Sequence, residues 1–284
     1  MYGGGLNPFD GPGKFGDEES WHQGLLRWKK AVDEFAPGAM IAWYAWDEPS
    51  HAFDGGMGAF AEWMNTVGPH VDSFNEKYDA DVKIYVTTNR GTAQRAPSLS
   101  IYGAGPGDVE QMHKEGDLTA RYNGPMDFGL PASATRVVGW QAYSQRTDIW
   151  WMYHFNSYAA GFDVYRDPYN FTNQYGEIRA GVGMFLYPGT DAYITKRNPG
   201  LDGPVPGVRF FNWRQGFIDY EYLALAAKTD PQAVDEIVAE AMARPELERG
   251  LPGERRSRGY PIGDEKYVAA REKLVKIILG DGSE

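Results

Sequence analysis

Met40-Ile41-Ala42-Trp43-Tyr44-Ala45-Trp46-Asp47-Glu48-Pro49 is an apolar and aromatic run that stops abruptly at two adjacent carboxylates. Such a run reads as a buried strand whose C-terminal tip opens into a polar mouth, which is where parallel α/β enzymes keep their chemistry. Pro49 pushes Glu48 out of the helical region, so the strand is expected to end there. The competing reading makes Asp47 and Glu48 surface acids that cap the following helix. The flanking sequence bears on the choice.

Upstream, residues 1 to 19 are rich in Gly, Pro and Asp and read as loop. Ser20 is expected to cap a helix whose stripe is Trp21, Leu25, Trp28, Val32 and Phe35, ended by Pro37-Gly38. Downstream, Met57, Phe60, Trp63, Met64, Val67, Val71 and Phe74 mark a second amphipathic helix, with an interruption expected at Gly68-Pro69. Val82 to Thr88 is a β-branched strand ending at Asn89. Residues 90 to 107 read as loop with a weak apolar patch around Ile101-Tyr102, followed by a short acidic helix from Asp108 and a weak strand from Leu118 to Tyr122. A helix over about 133 to 146, strands at 148 to 156 and 181 to 189, and a helix from Val208 follow. Two charged amphipathic helices, at about 231 to 243 and 264 to 279, complete the chain.

Helix and strand alternate, and the strands are too apolar for one-sided exposure, which points to a parallel sheet covered by helices. Five strands are too few to close a (β/α)8 barrel, which needs eight. An open doubly wound sheet would need a glycine-rich phosphate turn near its first strand, and none is present in the sequence. The arithmetic favours a barrel entered partway through.

The net charge of -11 argues against a nucleic-acid or anionic-membrane partner, and the short cluster Arg255-Arg256-Ser257-Arg258 reads as solvated loop. The absence of cysteine excludes disulfides, thiolate metal sites and a Cys nucleophile. Residues 1 to 9 lack the pattern of a signal peptide, and no apolar run approaches the roughly 20 residues that span a bilayer. The strongest compositional signal is aromatic: 9 Trp, 18 Tyr and 14 Phe, many beside Gly, Asn, Asp and Pro in apparent loops. Sugar-binding clefts need such flat faces, because pyranose C–H patches stack on aromatic rings. A Tyr-rich protein-binding surface would look similar.

In order along the chain come Asp47-Glu48-Pro49, Gly139-Trp140-Gln141-Ala142-Tyr143, Ile149-Trp150-Trp151, Tyr187-Pro188-Gly189, Arg209, and Arg214-Gln215-Gly216-Phe217-Ile218-Asp219-Tyr220-Glu221-Tyr222-Leu223. This ordered set, over roughly residues 20 to 227, resembles the catalytic domain of glycoside hydrolase family 123, bacterial exo-acting β-N-acetylgalactosaminidases. The resemblance implies a (β/α)8 TIM barrel in which 40 to 46 is the fourth strand and the strands at 82, 118, 149 and 182 are the fifth to eighth. Met1 would then fall inside the third βα unit. Residues 1–227 would be the C-terminal part of the catalytic barrel and 228–284 a helical segment packed on it.

The resemblance also assigns roles. In a substrate-assisted, retaining reaction on a β-linked N-acetylhexosamine, the acetamido oxygen is the nucleophile, an exception to the two-carboxylate scheme. Asp47 would orient the acetamido N–H as an ionised carboxylate, and Glu48 would be the general acid and base. Neighbours on a regular strand face opposite ways, so serving one sugar requires a bend or bulge at the tip. Tyr44, Trp46, Trp150, Trp151, Tyr153 and Tyr187 are the candidates for stacking and for holding the acetamido carbonyl, with only one of Trp150 and Trp151 facing inward. Asn89, Asn156 and Arg209 are candidates for binding sugar hydroxyls. The scheme calls for a carbohydrate partner, no cofactor and no metal; His22, His51, His70, His113 and His154 show no metal spacing. Arg214, Asp219 and Glu221, on a helix, read as fold-stabilising charges. The alternatives are a non-catalytic carbohydrate-binding or scaffold domain, and a glycosidase with a conventional nucleophile. For the latter, Asp127, Asp148, Asp163 and Asp167 are poorly placed.

Overall fold

The computed structural model describes residues 17–46, 49, 54–89, 101–103, 109–122, 132–152, 155–156, 163–167, 169, 171–172, 176, 178–190, 200–242 and 264–280. The chain divides into two compact units, Met1–Arg121 and Tyr122–Glu284. The boundary expected at residue 227 falls inside the second.

In the first unit α1 (Glu18–Phe35) precedes β1 (Ile41–Trp46), and α2 (Gly56–Tyr78) leads to β2 (Val82–Asn89). Next come β3 (Ile101–Gly103), α3 (Val109–Lys114) and β4 (Leu118–Tyr122). The strands pair in parallel in the order β1-β2-β3-β4. β3 lies where the sequence suggested loop; its three residues pair with β2 on one side and with Leu118–Ala120 on the other.

The cap of α1 is Asp17, not Ser20: the Asp17 carboxylate accepts from the Ser20 backbone N–H at 2.9 Å, and Glu18 and Glu19 fill the first turn. Acids there suit the positive end of the helix dipole. Trp21 and Leu25 are fully buried beneath it, whereas Phe35, the last member of the expected stripe, is 79% exposed. Burying a large apolar side chain stabilises by roughly 1.5–3 kcal/mol. An exposed i,i+4 pair such as Lys29–Asp33 on the same helix adds about 0.3–0.5 kcal/mol, so packing anchors α1.

α2 runs unbroken through the expected interruption, with Pro69 inside it. Its Phe60, Met64, Val71 and Phe74 join Trp21, Trp43 and Ile84 in one core. Asn75 ties this helix to the sheet by pairing with both backbone groups of Val82, at 2.9 and 3.1 Å.

The second unit begins its helical part with a 3-10 turn, Ala132–Arg136, that feeds α4 (Val137–Ser144) and then β5 (Ile149–Trp151). Two antiparallel pairs follow, β6 (Phe171–Thr172) with β7 (Ile178–Arg179), and β8 (Leu186–Tyr187) with β9 (Val205–Pro206). The last three helices are α5 (Val208–Ala226), α6 (Pro231–Met242) and α7 (Glu265–Leu279), and they share a core with α4 built on Trp140, Leu223, Val234, Tyr267 and Leu274. The strand expected over 181–189 is shortened to Leu186–Tyr187. Gly181 and Gly183 hold φ of 68° and 66°, a left-handed conformation that breaks extended backbone and suits glycine.

α4 and α5 meet backbone to backbone. A Cβ on Gly139 would stand 1.7 Å from the Gly216 carbonyl oxygen, and one on Gly216 would stand 2.3 Å from that of Arg136. This approach brings Asp219, fully buried, against two arginines. Arg136 grips it bidentately, Nε to Oδ2 at 2.6 Å and Nη2 to Oδ1 at 3.1 Å. Trp140 Nε1 donates to Oδ2 at 3.0 Å and Arg271 Nε to Oδ1 at 2.7 Å. Arg136 also reaches Asp264 at 3.2 Å. Burial works to lower the Arg136 pKa, but its hydrogen bonds and charge contacts with Asp219 and Asp264 outweigh that and hold it above the ordinary value.

Asp219→Ala leaves two guanidinium groups without their buried counter-ion, so urea unfolding of the second unit is expected to show a loss of about 3–5 kcal/mol. A loss under about 1 kcal/mol, the value of an exposed pair, would contradict this account. Gly216→Ala, which adds one methyl group where there is backbone, is expected to cost about 1–3 kcal/mol in the same measurement.

Candidate functional site

Parallel pairing puts the C-terminal ends of β1 to β4 at one edge of the sheet in the first unit. The pairing slips at that edge. Tyr44 lies opposite Tyr85 but Trp46 lies opposite Val86, so Ala45 is an extra residue in β1. β2 slips against β3 between Val86 and Asn89. Bulges next to strand ends re-aim side chains.

The slip at Ala45 decides where Trp46 goes. Trp43 is buried against Trp21 and Trp63, with ring centroids 4.8 and 6.0 Å away. Regular alternation would put Trp46 on the opposite face, beside Tyr44. Instead Trp46 packs on the same Trp63 at 5.9 Å, partly buried against the core. Its ring packs against that core, on the Trp43 side rather than the Tyr44 side. Tyr44 stacks on Tyr85 at 5.1 Å and 25°, and its hydroxyl shares a 3.1 Å hydrogen bond with Thr87 Oγ1. Asn89 is the last residue of β2, its backbone opposite Gly103. Asp47, Glu48, His51, Tyr153 and His154 lie outside the described residues, as do the side chain of Asn89 and the acid Asp127; Pro49, directly after the acid pair in sequence, is buried.

In the second unit Trp150 and Trp151 are both half-buried on β5. Asn156 is exposed and bridges Met184, and the Phe155 carbonyl accepts from the N–H groups of Phe185 and Leu186 at 2.8 and 2.7 Å. Arg209, 5% exposed, serves as a brace. Its Nη2 donates to the Gly181 and Met184 carbonyls at 3.0 and 2.7 Å, and the guanidinium lies over the Phe185 ring at 5.3 Å. Arg209 therefore holds the turn that leads into β8. Gly189 closes the same segment, since a Cβ there would stand 2.1 Å from the Gly203 carbonyl oxygen.

β8 delivers Tyr187 to a cleft of about 530 Å³ lined by Val164, Tyr165, Arg166, Tyr187, Val205, Pro206 and Gly207. The rings of Tyr165 and Tyr187 stack at 5.5 Å and 27°. The Tyr165 hydroxyl donates to the Pro188 carbonyl at 2.5 Å. Gly207 lets Tyr187 lie close, for a Cβ there would meet the ring at 3.0 Å. Sequence reasoning selected Tyr187 and missed Tyr165 and Arg166. The available signal was the repeated Asp-x-Tyr of 163–165 and 167–169, since each Asp side chain accepts from the Tyr backbone N–H two residues on, at 3.2 and 3.0 Å. Those are Asx-turns, which present the following side chain on a fixed loop.

Among the described residues no cluster of His, Asp or Glu is suited to a metal ion, and no helix is long and apolar enough to cross a membrane. A scan of protein-family models finds none that matches the chain, and a search of curated proteins likewise finds no match.

Burial, and then the neighbouring Tyr187, push the Tyr165 phenol above its ordinary value. A raised phenol pKa favours the fold while the group is protonated. That contribution is present below the unfolded value near 10 and is lost as pH rises through the folded one. The difference in phenolate absorbance between the wild type and Tyr165→Phe should therefore have its midpoint above about 10. A midpoint at or below the free value would contradict the packing described for this ring.

Proposed function

We propose that the chain is a glycoside hydrolase that removes terminal β-linked N-acetylhexosamine, with N-acetylgalactosamine the preferred sugar, by a retaining, substrate-assisted reaction. The fold proposed with it is a (β/α)8 barrel, of which this chain supplies about the fourth to eighth strands. Parallel pairing of β1 to β4, with α2 between β1 and β2 and α3 between β3 and β4, supports that fold. The observation that carries the functional reading is the one-residue slip at Ala45, two positions before Asp47 in the sequence, at the C-terminal edge of parallel strands. Two adjacent acids that serve one sugar need an irregular strand end, and the pairing of β1 already departs from regular alternation ahead of them.

In this reaction Glu48 protonates the glycosidic oxygen while the substrate's acetamido oxygen attacks the anomeric carbon. The leaving group departs and an oxazolinium-type intermediate forms. Asp47, ionised, accepts the acetamido N–H and keeps the oxygen in line. Glu48 then takes the proton of the water that opens the intermediate, which restores the β configuration. A carboxyl that gives and takes a proton works best with a raised pKa, and an ionised neighbour in Asp47 supplies that influence. In the first unit Tyr44, on the strand that leads to the acid pair, is retained as a sugar-facing group, whereas the Trp46 ring packs on the core; the Arg209 guanidinium is taken up by turn carbonyls.

Hydrolysis of a chromogenic β-N-acetylgalactosaminide by the full chain is the direct test. Glu48→Gln is expected to lower kcat/KM roughly 100- to 10,000-fold with the fold intact by circular dichroism. Asp47→Asn should impair acetamido substrates, and a thiazoline mimic of the oxazoline should inhibit the wild type. Undiminished turnover in Glu48→Gln would sink the assignment.

A further inference from the structure

The cleft in the second unit has a chemistry of its own. Among the described residues Arg166 is the one charged residue in its lining and no carboxylate lines it, although the whole chain carries a net charge of -11. The Arg166 side chain is 72% exposed, and its Nε stands 3.9 Å from Asp163 Oδ2, beyond hydrogen-bond distance. An exposed pair that long contributes little, so the guanidinium keeps its capacity for an anion with two acceptor oxygens. Val205, Pro206 and the stacked rings of Tyr165 and Tyr187 make the rest of the surface apolar and flat. With its hydroxyl committed to the Pro188 carbonyl, Tyr165 contributes ring rather than hydroxyl. The volume lies within the usual range for small-molecule sites.

We propose that this cleft binds a sugar ring bearing one anionic group, a carboxylate or a sulfate, with the ring against the Tyr165–Tyr187 pair and the anion on Arg166. The inference rests on the hydrolase reading only for the expectation that the ligand is a sugar. The charge preference comes from the cleft itself. Guanidinium meets either anion with two parallel N–H donors.

Calorimetric titration of the full chain at low ionic strength, with methyl glucuronide, a sulfated methyl galactoside and neutral methyl galactoside, tests it. At least one anionic sugar should bind about tenfold tighter than the neutral one, and the better of the two identifies the anion. Added salt should weaken the anionic sugars alone. Arg166→Gln should bring them to the neutral level, whereas Tyr187→Ala should weaken all three. Equal affinity for charged and neutral sugars, no binding of any, or a preference that survives Arg166→Gln overturns the proposal. Binding is read without turnover, so a failed hydrolysis assay leaves these results standing, and a failed charge preference leaves the hydrolase reading standing.

Discussion

A single carboxylate organises the second unit. Asp219 is fully buried and accepts from Arg136, Trp140 and Arg271, side chains that come from the 3-10 turn, α4 and α7 and meet on α5. With Asp264 the group contains two carboxylates and two guanidiniums, so the charge brought out of water is balanced. Burying unbalanced charge would cost several kcal/mol per ion, and the bidentate Arg136 contact with the indole N–H answers both carboxylate oxygens. Asp264 sits at the N-terminus of α7 but makes no side-chain cap there, and its carboxylate is spent on Arg136 instead. The network fixes which face of each helix turns inward. The apolar core around Trp140, Leu223 and Tyr267 supplies the bulk of the burial.

The network depends in turn on how closely α4 and α5 approach. Gly139 and Gly216 remove the side chains that would hold the helices apart, and the carbonyls of Arg136 and Gly216 occupy that space. The first unit reaches its own order by other means. Four tryptophans, Trp21, Trp43, Trp46 and Trp63, pack among apolar residues of α1, α2 and β1, and Asn75 stitches α2 to β2. Much of the aromatic excess that suggested a sugar cleft is core in this unit.

Legibility in the sequence tracked periodicity. The helices over 57 to 74, from Val208 and at the C-terminus emerge close to where apolar spacing puts them, because that spacing reports which face is buried. Asp17 is hard to read as a cap because the first helical turn holds Glu18 and Glu19, so the apolar stripe starts after the helix does. β3 is not legible because three residues are too few to show alternation. The turn at 181–184 looked like strand because apolar runs carry no record of φ, although two glycines flanking Val182 are a turn signal. In the candidate site, Asp47-Glu48 is a motif visible at a glance. The face taken by Trp46 depends on one inserted residue, which only the pairing with β2 reveals. Arg209 and Asp219 belong to conspicuous motifs, and nothing in their spacing announced that their partners would be turn carbonyls and two distant arginines.

The brace at Arg209 has a consequence for how this cleft can change over generations. Arg209 grips main-chain carbonyls at Gly181 and Met184, and the pairing of Tyr187 with Val205 is likewise between backbones. Carbonyls persist whatever amino acid a codon comes to specify, whereas the walls at 164, 165, 166 and 205 are side chains that a point mutation replaces. The support and the lining can thus change separately. Substitution of the walls can therefore reshape the lining without removing the main-chain contacts that hold this segment, whereas loss of the Arg209 side chain would remove both carbonyl contacts at once.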